Sequence, residues 1–190
     1  MSTLTVNTIN ETTAANGVVI DGLKVKDYSL MYGSNTGLTV SSDGYVTKPN
    51  IPIFSAYIAN NQTNIASGGW RTVEFDTLDY ACSHYNTSNY TFTTPIAGKY
   101  QFNICLRIDQ IDTGITYLQL NTNIGGGLYY GPIIDPNFSS NPSYWYMAHS
   151  QVFNIGASTA VKVQIYTGGT PDVADIIGSN TQSRWSGFLI

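Results

Sequence analysis

The chain has 190 residues, which is room for one domain of ordinary size and an appendage. Charged residues make up only 11% of it, and 8 Lys and Arg against 12 Asp and Glu leave a net charge of −4, which excludes the basic footprint of a nucleic-acid binder. Hydrophobic residues at 42% supply a core, but a surface built from Asn, Thr, Gly and 14 Tyr disfavours long helices and suits a pleated sheet.

At the front, Met1-Ser2-Thr3-Leu4-Thr5-Val6 has neither the basic nor the apolar segment of a secretory signal, and no run of about 18 apolar residues follows. The expectation is a protein made in a cytoplasm, without membrane insertion. Residues 1–50 alternate short β-forming runs with turn signals. Asp21-Gly22 and Asp43-Gly44 lie where hairpin turns need positive φ, predicting one hairpin of Val18–Ile20 against Leu23–Val25 and a second of Leu38–Val40 against Tyr45–Thr47. Neither carries enough apolar surface to stand alone. Two further copies would let Leu4, Val6, Ile9, Val19, Leu23 and Val25 meet around a threefold axis, making this segment an extended trimeric stem; a disordered leader is the other reading.

Lys48-Pro49-Asn50-Ile51-Pro52 marks a joint, because each proline holds its predecessor extended and removes a ladder donor. Residues 51–190 then read as one all-β head. Its expected strands are Ile53–Ile58, Arg71–Phe75, Tyr90–Thr93, Lys99–Ile108, Thr116–Thr122, Trp145–Phe153, Ala160–Tyr166 and Arg184–Ile190, a number and spacing that fit a β-sandwich or jelly roll. Tyr100, Phe102, Ile104, Leu106 and Ile108 alternate with polar residues, as do Val161, Val163 and Ile165, so both runs are half-buried strands. Phe188 and Ile190 are expected to face inward from the last strand. Cys82 and Cys105, in no metal-ligand spacing, are expected to be free thiols.

Phe92-Thr93-Thr94-Pro95-Ile96-Ala97-Gly98-Lys99-Tyr100-Gln101-Phe102 resembles the signature of the complement one-q globular head, a tumour-necrosis-factor-like jelly roll. Val73-Glu74-Phe75-Asp76, Tyr85-Asn86 and the closing Ser186-Gly187-Phe188-Leu189-Ile190 resemble further strands of that family, so the similarity spans residues 53–190. It implies a homotrimer with Phe92, Pro95, Gly98, Tyr100, Phe102, Gly187 and Phe188 as signature positions. It also leaves open a calcium ion near the trimer apex. The front of the chain, with Leu38-Thr39-Val40-Ser41-Ser42-Asp43-Gly44-Tyr45 ahead of the head, resembles the leader of small structural proteins of tailed phages, especially those of marine cyanobacteria. That similarity implies a virion protein assembled in the host cytoplasm.

Titratable groups that could converge on chemistry are few. His84 and His149 are the only histidines, Ser150 beside His149 lacks a nucleophile elbow, and Asp109 and Asp112 read as turn residues more readily than as glycosidase carboxylates. Asp76, Asp79, Asp109 and Asp112 lie near strand ends, where oxygen ligands for a cation could gather, yet EF-hand spacing is absent and no metal residue is assigned. The segment from Gly125 to Tyr146 reads as a long connection rich in rings. Tyr129, Tyr130, Phe138, Tyr144 and Trp145 are its candidate ligand-binding residues, since aromatic side chains stack on sugar faces at small entropic cost. Tyr144, Trp145 and Tyr146 read equally as the start of a strand packed in the core or between protomers.

Taken together, these features predict a non-enzymatic phage fibre or tail protein. A jelly-roll head would bind a host surface glycan or protein, and the stem would join a virion attachment protein. A structural capsid or tail decoration and a fibre-borne polysaccharide depolymerase are the rival readings.

Overall fold

The computed structural model describes residues 18–20, 23–135, 138–169 and 173–190. Among them every regular element is a strand, and no helix is long and apolar enough to cross a membrane. The chain divides into two units, Met1–Ile51 and Pro52–Ile190.

The first unit is a five-stranded antiparallel meander of β1 (Val18–Ile20), β2 (Leu23–Lys26), β3 (Ser29–Tyr32), β4 (Asn35–Val40) and β5 (Val46–Thr47). The first expected hairpin is present, with Val18 opposite Val25 and Ile20 opposite Leu23. The second pairing is present too, Val40 opposite Val46, although its connection is a longer turn closed by the Ser41 N–H donating to the Tyr45 carbonyl. Sequence reasoning missed β3. It follows a tight turn at Asp27-Tyr28, whose φ values of 47° and 62° put two non-glycine residues in the left-handed region where Gly or Asn is the usual signal. Of the residues expected to form a stem core, Leu4, Val6 and Ile9 lie outside the described residues, as does the Leu23 side chain. No described side chain of this unit is fully buried.

The second unit is a sandwich of two antiparallel sheets. Its strands in chain order are β6 (Ile53–Tyr57), β7 (Gln62–Ala66), β8 (Gly69–Thr72), β9 (Thr77–Leu78), β10 (Tyr85–Asn86), β11 (Thr91–Thr93), β12 (Gly98–Asp109), β13 (Ile115–Ile124), β14 (Gly127–Ile134), β15 (Tyr144–Ile155), β16 (Ala160–Gly169), β17 (Val173–Ile176) and β18 (Arg184–Leu189). Strands β10, β11, β16, β13 and β14, with β8 also on β16, form a six-stranded sheet. The seven-stranded sheet runs β7, β17, β12, β18, β6, β9, with β15 along the other edge of β12. Each of the eight expected head strands overlaps an observed one, but the second is shifted, since β8 ends at Thr72 and Val73–Phe75 are outside any strand.

The alternation on β12 and β16 is as read from the sequence, with Tyr100, Phe102, Ile104, Leu106, Ile108, Val161, Val163 and Ile165 buried. Each such side chain contributes on the order of 1.5–3 kcal/mol. Between the sheets an aromatic nest forms around Phe54, whose ring stacks on Phe92 at 4.5 Å and meets Trp185 edge-on at 4.7 Å. Trp185 also touches Phe75, Tyr85 and Phe102.

Two expectations are corrected. Phe188 and Ile190 do not face inward: Trp185 and Gly187 are the buried positions of β18, while Phe188 is half-buried opposite Gln101 and Ile190 is exposed. The buried Trp185 sets the phase of that strand, and a period of two then sends Phe188 outward. Gly125–Tyr146 is not one long connection, because Gly127–Ile134 is the edge strand β14 and only residues 135–143 link it to β15. The glycines and Pro132 disguise it, and an edge strand tolerates such residues because one side of its backbone is unpaired.

Gly187 sits between Phe102 and Phe54 in the register, and a Cβ there would run into the Phe102 ring and lie 2.7 Å from the Phe54 ring. At Gly98 the equivalent atom would meet only the end of the Leu189 side chain, at 2.5 Å. Gly187→Ala should therefore cost about 1–3 kcal/mol or more in chemical unfolding, and Gly98→Ala clearly less, since two rings locked in a core cannot retreat as a flexible leucine can.

Candidate functional site

The five aromatic candidates do not converge, because strand alternation sends them to different surfaces. On β14, Tyr129 turns toward the sandwich interior and packs edge-on against Phe153 at 5.0 Å. Its neighbour Tyr130 turns outward from the six-stranded sheet, 59% exposed, and stacks on Trp70 at 5.9 Å. On β15, Tyr144 lies on the outward face of the seven-stranded sheet with the Arg107 guanidinium 5.4 Å from its ring centroid. Trp145 points the other way and meets Phe138, from the preceding connection, at 5.7 Å. Phe138 with Trp145 is thus the one pair of candidates that meets. Trp70, Tyr117 and Tyr166 were not anticipated as site residues. The outward phase of Tyr166 was legible in β16, but the reach of Trp70 across the sheet was not.

The acidic residues have structural partners. Asp109 receives two hydrogen bonds from Arg107, at 2.8 and 2.9 Å, and that pair holds the guanidinium above its ordinary pKa. Asp112 accepts from the Asn141 amide and the Val173 N–H, Asp76 from the Ala59 N–H and the Thr77 hydroxyl, and Asp79 from Ser55 and Arg184. Among the described residues no three His, Cys, Asp or Glu side chains gather as metal ligands. Cys82 and Cys105 are free, and burial pushes the Cys105 thiol above its usual range. His149 shares a hydrogen bond with Gln151 at 2.9 Å in the cleft between β14 and β15.

Pro95, alone of the signature positions, helps line a concavity of about 430 Å³ shared with Ser83, His84, Tyr85, Asn86 and Thr94. Thr94 shapes one wall: its hydroxyl donates to the Gly156 carbonyl at 2.6 Å and accepts from the Thr159 N–H at 3.0 Å, clamping the 156–159 turn. Tyr85 forms the floor, with its hydroxyl donating to the Phe75 carbonyl at 2.8 Å. Tyr100, fully buried, donates to the Ile96 carbonyl at 2.8 Å. These hydroxyls fix loops to the core and serve the fold before any ligand.

With this geometry in view, comparison with solved structures places the head. The globular domain of zebrafish complement 1qA is 16% identical and aligns over 74% of this chain and 98% of its own length, with a TM-score of 0.51. Eiger TNF from S. frugiperda aligns over 74% of this chain and 92% of its own at 5% identity and TM-score 0.55. Murine APRIL at pH 8.5 aligns over 74% of this chain and all of its own at 8% identity and TM-score 0.52. No family model matches the chain and no curated protein is similar to it in sequence. The second unit is therefore a complement one-q and TNF-like jelly roll. At these identities the likeness is one of fold.

Burial, then the neighbouring Asp76 and Tyr90, holds the Tyr85 phenol far above its ordinary value of 10.0. A phenol whose pKa is raised by folding contributes its stability in full below its unfolded value and loses it as pH rises beyond. Alkaline unfolding should steepen above about pH 10 by up to about 1.4 kcal/mol per pH unit from this group. In Tyr85→Phe that slope should flatten, while stability at pH 7 falls by about 1 kcal/mol because the Phe75 carbonyl loses its donor. Urea unfolding at pH 7 and pH 11 measures both.

Proposed function

We propose that this chain is a non-catalytic fibre or tail protein of a tailed-phage virion, trimeric through its head and stem, that adsorbs to a glycan or protein of the host surface. The observation that carries the reading is the outward face of the seven-stranded sheet. One row across four adjacent strands runs Ile53, Phe188, Gln101, Val152, three of its four side chains apolar, with Ile53 44% and Val152 50% exposed. Farther along β15, beyond Ser150 and Ala148, Tyr144 and Tyr146 are exposed on the same face at 61% and 48%. The charges beside them, Arg107 and Asp109, neutralise each other. Exposed apolar side chains on a sheet face, with the polar row of Ser186, Asn103 and Ser150 between them and Lys99 as the flanking cation, suit burial between copies.

Two further features support the reading. The described part of the first unit is a single-layer meander with Val19, Val25, Tyr28 and Tyr32 exposed, and packing against more copies or another protein would give such a layer a core. The resemblance of the front of the chain to phage structural leaders supports a place in a virion, with the stem as the attachment segment. Three linked heads then raise apparent affinity by effective concentration, so weak individual contacts suffice for adsorption. The four aspartates weighed as candidate ligands, Asp76, Asp79, Asp109 and Asp112, each engage in structural hydrogen bonds, which favours binding over glycoside hydrolysis.

Sedimentation of the purified protein at micromolar concentration should give three times the chain mass of 20.7 kDa. Val152→Asp, an exposed change on the edge strand, should give folded monomers whose adsorption to host cells is weaker by about a hundredfold, as lost avidity dictates. A monomeric wild type would defeat the trimer. A trimer that ignores host cells would favour the decoration role instead.

A further inference from the structure

The outward face of the six-stranded sheet carries two adjacent rows. One runs Thr72, Gln164, Asn121, Tyr130, and the next runs Trp70, Tyr166, Gln119, Ile133, across β8, β16, β13 and β14. Neither row contains a charged residue or a histidine. Trp70 and Tyr130 start from strands with two others between them, yet their rings stack 5.9 Å apart. Strands lie about 4.8 Å apart, so both side chains reach over the amide row to meet. Tyr166 stands edge-on to Trp70 at 5.3 Å and stacks in turn on Tyr117 at 5.0 Å and 8°, so four rings make one continuous aromatic surface.

Beneath and beside the rings lie oriented amides. Asn121 and Asn123 both donate to the Gln164 Oε1, at 3.3 and 3.0 Å, which fixes the Gln164 amide; among the described residues its Nε2 donates to no protein acceptor. Asn121 is fully buried, and its Oδ1 has no partner. Thr122 Oγ1 and Trp185 Nε1 are unpaired in the same way, so the Gln164 amide, and not this buried oxygen, is the group open to a ligand. The Tyr117 phenol is pushed above its ordinary value by desolvation and by the adjoining Tyr166 and Tyr130, so it stays neutral at physiological pH.

From this arrangement we infer that the outward face of the six-stranded sheet is a binding platform for a neutral pyranose polymer, with Trp70, Tyr130 and Tyr166 stacking on sugar C–H faces and Gln164 donating to a ring substituent. Stacked rings match the apolar faces of a pyranose and a free amide N–H matches its hydroxyls; both rows are uncharged, while Lys162 stands in the next row, opposite Asn123. The inference deepens the adsorption reading by giving the ligand its chemical class, and rests on that reading only for the biological setting. It uses the face of the sandwich opposite the one assigned to trimer contact.

Affinity electrophoresis of the full chain through gels containing a neutral glucan, a galactan or a mannan, with alginate as the charged control, tests it. At least one neutral polymer should retard the wild type, and Trp70→Ala and Tyr130→Ala should each weaken that retardation by about tenfold or more. Tyr130 is 59% exposed on an edge strand, so its variant keeps the test valid should Trp70→Ala fail to fold. Retardation by alginate alone, by no neutral polymer, or equally in wild type and both variants would overturn the platform. So would a change of sedimenting mass in the variants without a change in retardation, since a second copy would then cover the face. Glycan retention without host-cell adsorption would count against the adsorption reading alone. Host adsorption undiminished in both variants, with no glycan retention, would count against the platform alone.

Discussion

The head depends on Phe54 stacking on Phe92 across the sandwich. Phe54 belongs to the seven-stranded sheet and Phe92 to the six-stranded one, so this contact at 4.5 Å is where the two layers meet, and Trp185, Phe102 and Tyr85 close around it. The nest forms because Gly187 offers no side chain between Phe54 and Phe102, leaving space that the rings fill. Fused aromatic contacts of this kind carry large buried area together with specific geometry, which pins the register of β6, β12 and β18 and therefore decides which residues each outward face presents.

Once the register is pinned, the two outer faces acquire different chemistry from similar compositions. The seven-stranded face gathers Ile53, Phe188 and Val152 into a row and pairs Arg107 with Asp109. The six-stranded face gathers rings over fixed amides and carries no charge in its two central rows. Apolar area with neutralised charge suits a permanent contact. Aromatic area with free amide donors suits an exchangeable ligand rich in hydroxyls. A single head is thus equipped both to associate and to bind, and the low charge of the chain leaves either role little affected by salt.

Sequence reasoning succeeded where one physical signal dominated. The strict alternation of Lys99–Ile108 could only be a half-buried strand, and the resemblance around Phe92 to Phe102 pointed to the jelly roll that the solved structures share. It failed where signals competed. Gly127–Ile134 carries glycines and a proline that elsewhere mean a loop, and only its place at a sheet edge makes it a strand. Asp27-Tyr28 makes a tight turn without glycine. Phe188 looked inward because it is apolar, whereas the phase of its strand belongs to Trp185.

The candidate site shows the same division. By itself, the sequence determined the fold class, the low charge, the scarcity of catalytic groups and the aromatic wealth of residues 125–146, because each is a property of composition or of local periodicity. Tertiary structure alone decided that Tyr129 and Tyr130 face opposite ways into different environments, that Trp70 crosses two strands to reach Tyr130, and that Asn121 is sealed beneath them. Those facts depend on which strands become neighbours, and strand order is set by long-range packing that no local window contains.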